Sequence, residues 1–125
     1  MATIDHIILK VNDVPTSLDF YVNVLGFESE GQDGPFTTLR VSENFTLQLA
    51  PWGTNGSEHF AFAMSREDFD KAFAVLKEKA IPYGDSFHTV GTNTGPGVET
   101  GARGPAPTLY MFDPNKHLIE IRTYD

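Results

Sequence analysis

The sequence predicts an α+β fold of two βαβββ modules that form curled mixed sheets around a concave metal and substrate pocket. Three observations predict it. Asp5-His6 and Glu58-His59 each open a short strand followed by a capped helix, so one organisation occurs twice without obvious identity. Each helix is followed by three short runs rich in β-branched and aromatic residues, the composition that suits a pleated, half-buried surface. The chain has 125 residues, enough for one domain, whereas a unit of about 60 residues is marginal alone and needs a partner.

The single domain divides into module 1 at 1–50, a linker at 51–57 and module 2 at 58–125. Residues 4–11 read as a strand, too short and too β-branched for an independent helix. Asp13 caps the first helix, Pro15 sits in its first turn, Leu18, Tyr21, Val22 and Leu25 form its apolar stripe, and Gly26 falls just past its end. Strands follow at 27–30, at 36–41 after Asp33-Gly34-Pro35, and at 45–50. In the second module a strand at 58–64 leads to Ser65, whose spacing to Asp68 resembles a capping box, and to a helix ending near Ala80. The remaining strands are expected at 83–88, 108–112 and 118–123. Residues 89–105 have almost no apolar content and read as one long loop, of the length that usually marks a lid, a binding loop or disorder.

Composition narrows the partners. Seventeen acids against nine bases give a net charge of -8, which repels nucleic acid and anionic membranes, and neither is expected as a partner. Cysteine is absent, leaving His, Asp and Glu as the strong metal ligands. No apolar run approaches the roughly 18 residues of a membrane span, and the opening Met-Ala-Thr-Ile-Asp has no signal-peptide character, so a cytoplasmic protein is expected.

Alternate residues of a strand face opposite sides of its sheet. Ile7, Leu9 and Val11, then Phe45, Leu47 and Leu49, then Phe60, Phe62 and Met64, then Leu109 and Met111, then Ile119 and Ile121 form an apolar set suited to packing under helices. The opposite, concave face then carries His6, Gln48, His59, Tyr110, Glu120 and Arg122, with Thr38 and Arg40 on the third strand. Small Ala61 and Ala63 beside His59 fit a cavity better than open surface. Two imidazoles and one carboxylate, His6, His59 and Glu120, leave coordination positions open and suit one divalent ion, Fe, Mn, Zn or Ni. His117 has the helix-side parity and is set aside, while His88 borders the long loop.

The opening Asp-His-Ile-Ile-Leu-Lys-Val, then Ser17-Leu18-Asp19-Phe20-Tyr21 and Val24-Leu25-Gly26-Phe27, the segment Glu58-His59-Phe60-Ala61-Phe62, and the ending Tyr110-Met111-Phe112-Asp113-Pro114-Asn115-Lys116-His117-Leu118-Ile119-Glu120 resemble the vicinal oxygen chelate superfamily. That group holds glyoxalase I, extradiol dioxygenases, fosfomycin-modifying enzymes and bleomycin resistance proteins. The resemblance implies that His6, His59 and Glu120 are metal ligands. It places Gln48 where glyoxalase I enzymes carry a Glu that is both ligand and base, a role an amide cannot fill. It also matches Tyr110 to a tyrosine that approaches the metal-bound substrate and donates to a developing oxyanion. Departures are Ile8 in place of the fosfomycin enzymes' threonine, Gly101-Ala102-Arg103 where dioxygenases place a catalytic His, and Lys116 where the family's turn commonly has Gly.

The functional expectation is a metal-dependent lyase, isomerase or dioxygenase acting on a small substrate chelated through neighbouring oxygens. Tyr110 and Gln48 are the catalytic candidates, and Arg40, Arg122, Arg103, Trp52 and Phe112 the substrate-binding ones. The competing expectation is a metal-free protein that sequesters a small molecule, with Trp52 and Phe112 as stacking surfaces. A homodimer is expected, with shared sites that take His6 from one chain and His59 with Glu120 from the other.

Overall fold

The computed structural model describes residues 1–125. The fold is α+β with two curled mixed sheets and few helices, as the sequence predicts. Two compact units are present, Met1–Asn55 and Gly56–Asp125, and each is described by itself. No helix is long and apolar enough to cross a membrane.

In the first unit, β1 (His6–Lys10) leads to α1 (Val14–Asp19) and a π-helical turn (Phe20–Val24), followed by β2 (Glu28–Asp33), β3 (Phe36–Ser42) and β4 (Phe45–Ala50). Asp13 caps α1 by accepting from the Thr16 amide at 2.9 Å and from the Thr16 hydroxyl. These bonds hold the Asp13 carboxyl below the usual aspartate value. The helix widens into the π turn, where the Leu25 amide donates to the Phe20 carbonyl, and Gly26 at φ +82° ends it in the left-handed conformation that costs glycine least. The sheet order is β1-β4-β3-β2, with β1 parallel to β4 and the other pairs antiparallel. Leu9, Leu39, Leu47 and Leu49 are all but inaccessible, so the predicted apolar parity is the buried one.

β2 runs past its expected end at residue 30, because a bulge between Ser29 and Gly31 lets it stay paired with β3 up to the Gly34-Pro35 turn. The bulge sets Glu30 against Arg40, with Arg40 Nε donating to one carboxylate oxygen at 3.1 Å and Nη2 to the other at 3.2 Å. Arg40 Nη1 also donates to the Ser42 and Glu43 carbonyls.

The second unit contains β5 (His59–Ala63), α2 (Arg66–Glu78), β6 (Tyr83–Gly84), β7 (Gly97–Gly101), β8 (Gly104–Phe112) and β9 (Leu118–Arg122). Ser65 caps α2 through the Asp68 amide at 3.1 Å, and Phe69, Ala72 and Leu76 are its buried stripe. The sheet order is β5-β9-β8-β6, with β5 parallel to β9 and β7 added against β8. Phe62, Leu109, Met111, Ile119 and Ile121 are buried on one face.

Here the structure departs from expectation. The segment 89–105 is not one loop, since β7 and the start of β8 form a hairpin within it, and the sixth strand is two residues long instead of six. Pro105 and Pro107 hide the hairpin in the sequence, because proline removes a ladder donor. In a strand the nitrogen and oxygen of one residue point to the same side. The Pro107 carbonyl accepts from the Thr123 amide, so both prolines turn their nitrogens away from β7 and no donor of the β7–β8 ladder is lost.

Candidate functional site

The open face of the second sheet follows from its register. Ala61 lies beside Glu120 and Glu120 beside Tyr110, while Ala63 lies beside Arg122 and Arg122 beside Thr108. Period-two alternation therefore sets His59, Ala61, Ala63, Glu120, Arg122 and Tyr110 on one face, as the sequence indicates. Side-chain bonds then link most of the polar ones. His59 Nε2 is 3.2 Å from Glu120 Oε1, and its Nδ1 lies 3.1 Å from the Leu118 carbonyl. A carbonyl only accepts, so Nδ1 carries a proton and holds the ring with Nε2 toward the carboxylate. The His59 and Tyr110 rings stack at 6.1 Å with an interplanar angle of 14°.

Glu120 is almost wholly buried, with 8% of its side chain exposed. Arg122 Nη1 donates to its Oε2 at 2.7 Å, and Nη2 donates to the carbonyls of Glu99 at 2.7 Å and Gly104 at 3.1 Å. Arg122 thus ties the carboxylate to the β7–β8 hairpin. Gly101 is required at the hairpin tip, since a Cβ there would overlap the Arg122 guanidinium and the Tyr124 hydroxyl. Burial, reinforced by the hydrogen bond to Glu120, pushes the Tyr110 phenol up to about 12, so it remains protonated across the neutral range.

A cleft of about 320 Å³ opens between this face and the hairpin, floored by Ala61 and Ala63 and walled by Gly101, Arg103, Arg122 and Tyr124, with Glu120 at its inner end. Arg103 lies with its guanidinium 4.1 Å over the Tyr124 ring, and its amide donates to the Tyr124 hydroxyl at 3.2 Å. Phe112 is half-exposed on the same sheet face, paired in register with Leu118.

In the first unit, His6, Gln48 and Arg40 share the open face, with His6 beside Thr46, Gln48 beside Ile8, and Arg40 beside Thr46. His6 Nδ1 is 2.7 Å from the Asp5 carboxylate, which orients the ring and leaves Nε2 outward. The Arg40 guanidinium is engaged by Glu30 and two loop carbonyls. Trp52 is half-exposed and packs edge-on against Phe36 at 5.6 Å. His117 is buried, and its Nδ1 accepts from the Ser57 and Glu58 amides, in keeping with its helix-side parity. Lys116 occupies the turn at φ +69°, the conformation for which glycine is the usual solution.

Three site features were not anticipated. Asp5 orients His6, and its adjacency was the only available signal. Tyr124 continues the parity of Glu120 and Arg122 one step beyond the strand, a pattern that points to it. The Thr100-Gly101 wall belongs to the unrecognised hairpin and had no signal.

Residues 3–121 match the Glyoxalase/Bleomycin resistance protein/Dioxygenase superfamily, and the chain belongs to that family. It is 29% identical to the "Virulence protein STM3117" of Salmonella typhimurium (strain LT2), over 97% of this chain and 83% of that one. Among solved structures, "Oxidase ChaP-H2" superposes with a TM-score of 0.80 at 26% identity, covering 99% of this chain and 94% of its own. TnmS3, an antibiotic binding protein from Streptomyces sp. CB03234, shares the fold at a TM-score of 0.70 and 19% identity, covering 98% and 96% of the two chains.

Proposed function

We propose that this protein is a metal-dependent enzyme that acts on a small oxygenated substrate, with His6, His59 and Glu120 as the ligands of one divalent ion, Fe, Mn, Zn or Ni. The observation that carries this reading is the approach of His59 Nε2 to Glu120 Oε1 at 3.2 Å while Nδ1 is spent on the Leu118 carbonyl. A neutral imidazole so held turns a lone pair toward a carboxylate, and two acceptors stay this close only around a proton or a cation. Ligand bonds of about 2.0–2.2 Å to one ion separate neighbouring donors by roughly 3 Å, so the pair fits a common ion. His6, oriented by Asp5, is the second imidazole and the third ligand of the set. No group of three His, Asp or Glu side chains gathers within the chain, and a twofold-related copy would complete each site in a homodimer.

The ion, when bound, supplies Lewis-acid polarisation of neighbouring substrate oxygens. The chain's own residues do the rest. Tyr110, protonated at neutral pH, donates to an oxyanion and cannot serve as a base there. Gln48 can donate and accept a hydrogen bond but cannot take the proton that a carboxylate would, which argues against glyoxalase I chemistry. Arg122 holds Glu120 in one rotamer, leaving Oε1 toward His59.

A second reading, metal-free sequestration of a small molecule, is favoured by one observation: with His59 protonated, His59, Glu120 and Arg122 close as an ion-pair network that needs no metal. The fold shared with TnmS3, an antibiotic binding protein, suits that reading too, and exposed Trp52 and Phe112 offer stacking surfaces. Calorimetric titration of chelator-treated protein with Mn, Fe, Ni, Zn and Co separates the two. The enzyme reading expects one ion per chain, lost in His59→Ala, and a dimer by light scattering. Absence of binding for every ion overturns it in favour of sequestration.

A further inference from the structure

The protein carries a net charge of -8, yet the cleft beside Glu120 has the opposite balance. Its lining holds one carboxylate, Glu120, against two guanidiniums, Arg122 and Arg103. Glu120 and Arg122 neutralise each other at 2.7 Å. Arg103 has no carboxylate partner, and its guanidinium carbon lies 4.1 Å over the centre of the Tyr124 ring. Contact with the ring face restrains the guanidinium without using its N–H donors, and a guanidinium matches a planar carboxylate with two parallel bonds.

The remaining polar groups are biased the same way. The Tyr124 oxygen accepts from the Arg103 amide, so the phenolic proton is available to an occupant. Glu120 already accepts from Arg122 and Tyr110, and its Oε1 faces the His59 ring. The cleft thus offers donors and asks for acceptors. Its volume of about 320 Å³ is at the lower end of small-molecule sites, about 300–1,000 Å³, and the methyl floor of Ala61 and Ala63 takes apolar atoms.

We infer that the cleft binds a small organic monoanion, its carboxylate clamped by Arg103 and its short apolar body lying on Ala61 and Ala63. A single uncompensated positive charge matches a carboxylate better than a phosphate dianion, and it disfavours cations despite the acidic chain. The inference rests on the reading of this face as a small-molecule site and names the substrate class.

The test uses the full chain in chelator, so that its outcome does not depend on a metal. Lactate, benzoate, inorganic phosphate and choline are titrated separately by calorimetry. The expected result is that lactate or benzoate binds and phosphate and choline do not. Arg103→Ala then weakens carboxylate binding by about tenfold or more, and Arg103→Lys has an intermediate effect because it keeps the charge but loses the fork. Ala63→Leu, at an exposed position where folding is not at risk, fills the cleft and abolishes binding with both guanidiniums intact. The inference is overturned if neither carboxylate binds, if Arg103→Ala binds as the parent does, or if phosphate or choline binds more tightly. Carboxylate binding through Arg103 in a chain that takes up no metal overturns the enzyme reading alone, and metal uptake without carboxylate binding overturns this inference alone.

Discussion

The two units begin alike and end differently. β1 and β5 have the same alternating burial, with one fully buried residue at the fourth position, and each runs parallel to the last strand of its own sheet. Each carries an outward histidine whose Nδ1 is held by an oxygen, from Asp5 in one case and from the Leu118 carbonyl in the other. The neighbours on the partner strand diverge. In the first unit they are Thr46 and neutral Gln48, and in the second they are Glu120 and Arg122, buried and bonded to each other. Each unit also has an Arg–Glu pair, but Arg40–Glu30 is more than one third exposed and Arg122–Glu120 less than one tenth. The contrast teaches that backbone repetition sets where a functional side chain can stand, while burial on one sheet alone gives that side chain its chemistry.

Removing each arginine breaks the comparison most directly. Arg122→Met leaves the Glu120 carboxylate buried without its counter-charge, at an expected cost of about 3 kcal/mol, the low end for a broken buried pair because the cleft admits water. Arg40→Met is expected to leave the unfolding midpoint unchanged, since exposed pairs are solvated and screened. Urea denaturation of both variants measures the difference, and equal effects would dissolve the contrast drawn here.

The helix caps give a smaller effect. Ser65→Ala orphans the Asp68 amide and is expected to destabilise by about 1 kcal/mol at any pH, because serine does not titrate. The cap in the first unit is an aspartate whose pKa is lowered by its bonds to Thr16, so its contribution is present above the ordinary carboxylate range and is lost as pH falls through that lowered value. Urea midpoints of Ser65→Ala against the parent from pH 7 to pH 3 measure this. A difference that shrinks with acid would contradict it.

The smallest change across the neutral range belongs to Tyr110. A phenol raised to about 12 binds its proton more tightly when folded, so its stability contribution is full below pH 10 and is lost as pH rises through 12. The open face of the first sheet has no tyrosine at the corresponding positions. Spectrophotometric titration of the tyrosines in the parent and in Tyr110→Phe should therefore differ only above pH 10. A phenolate from Tyr110 below that point would remove it as an oxyanion donor.

What the sequence determined by itself was local. Strand parity placed His6, Gln48, His59, Tyr110, Glu120 and Arg122 on open faces, and the caps at Asp13 and Ser65 and the helix stop at Gly26 are where spacing put them. These features rest on contacts between residues two to four apart, and that range is written in the order of the chain. Only the tertiary structure decided that residues 97–101 pair with β8, that Glu30 leaves a bulge to meet Arg40, and that Arg122 spans to the carbonyls of Glu99 and Gly104. The arginine bonds among them join residues 10 to 23 apart, and all of these partners are chosen by the need to satisfy buried donors and charges once the sheet has formed. Composition cannot express that need, so a glycine- and proline-rich stretch read as a loop becomes the wall of the cleft.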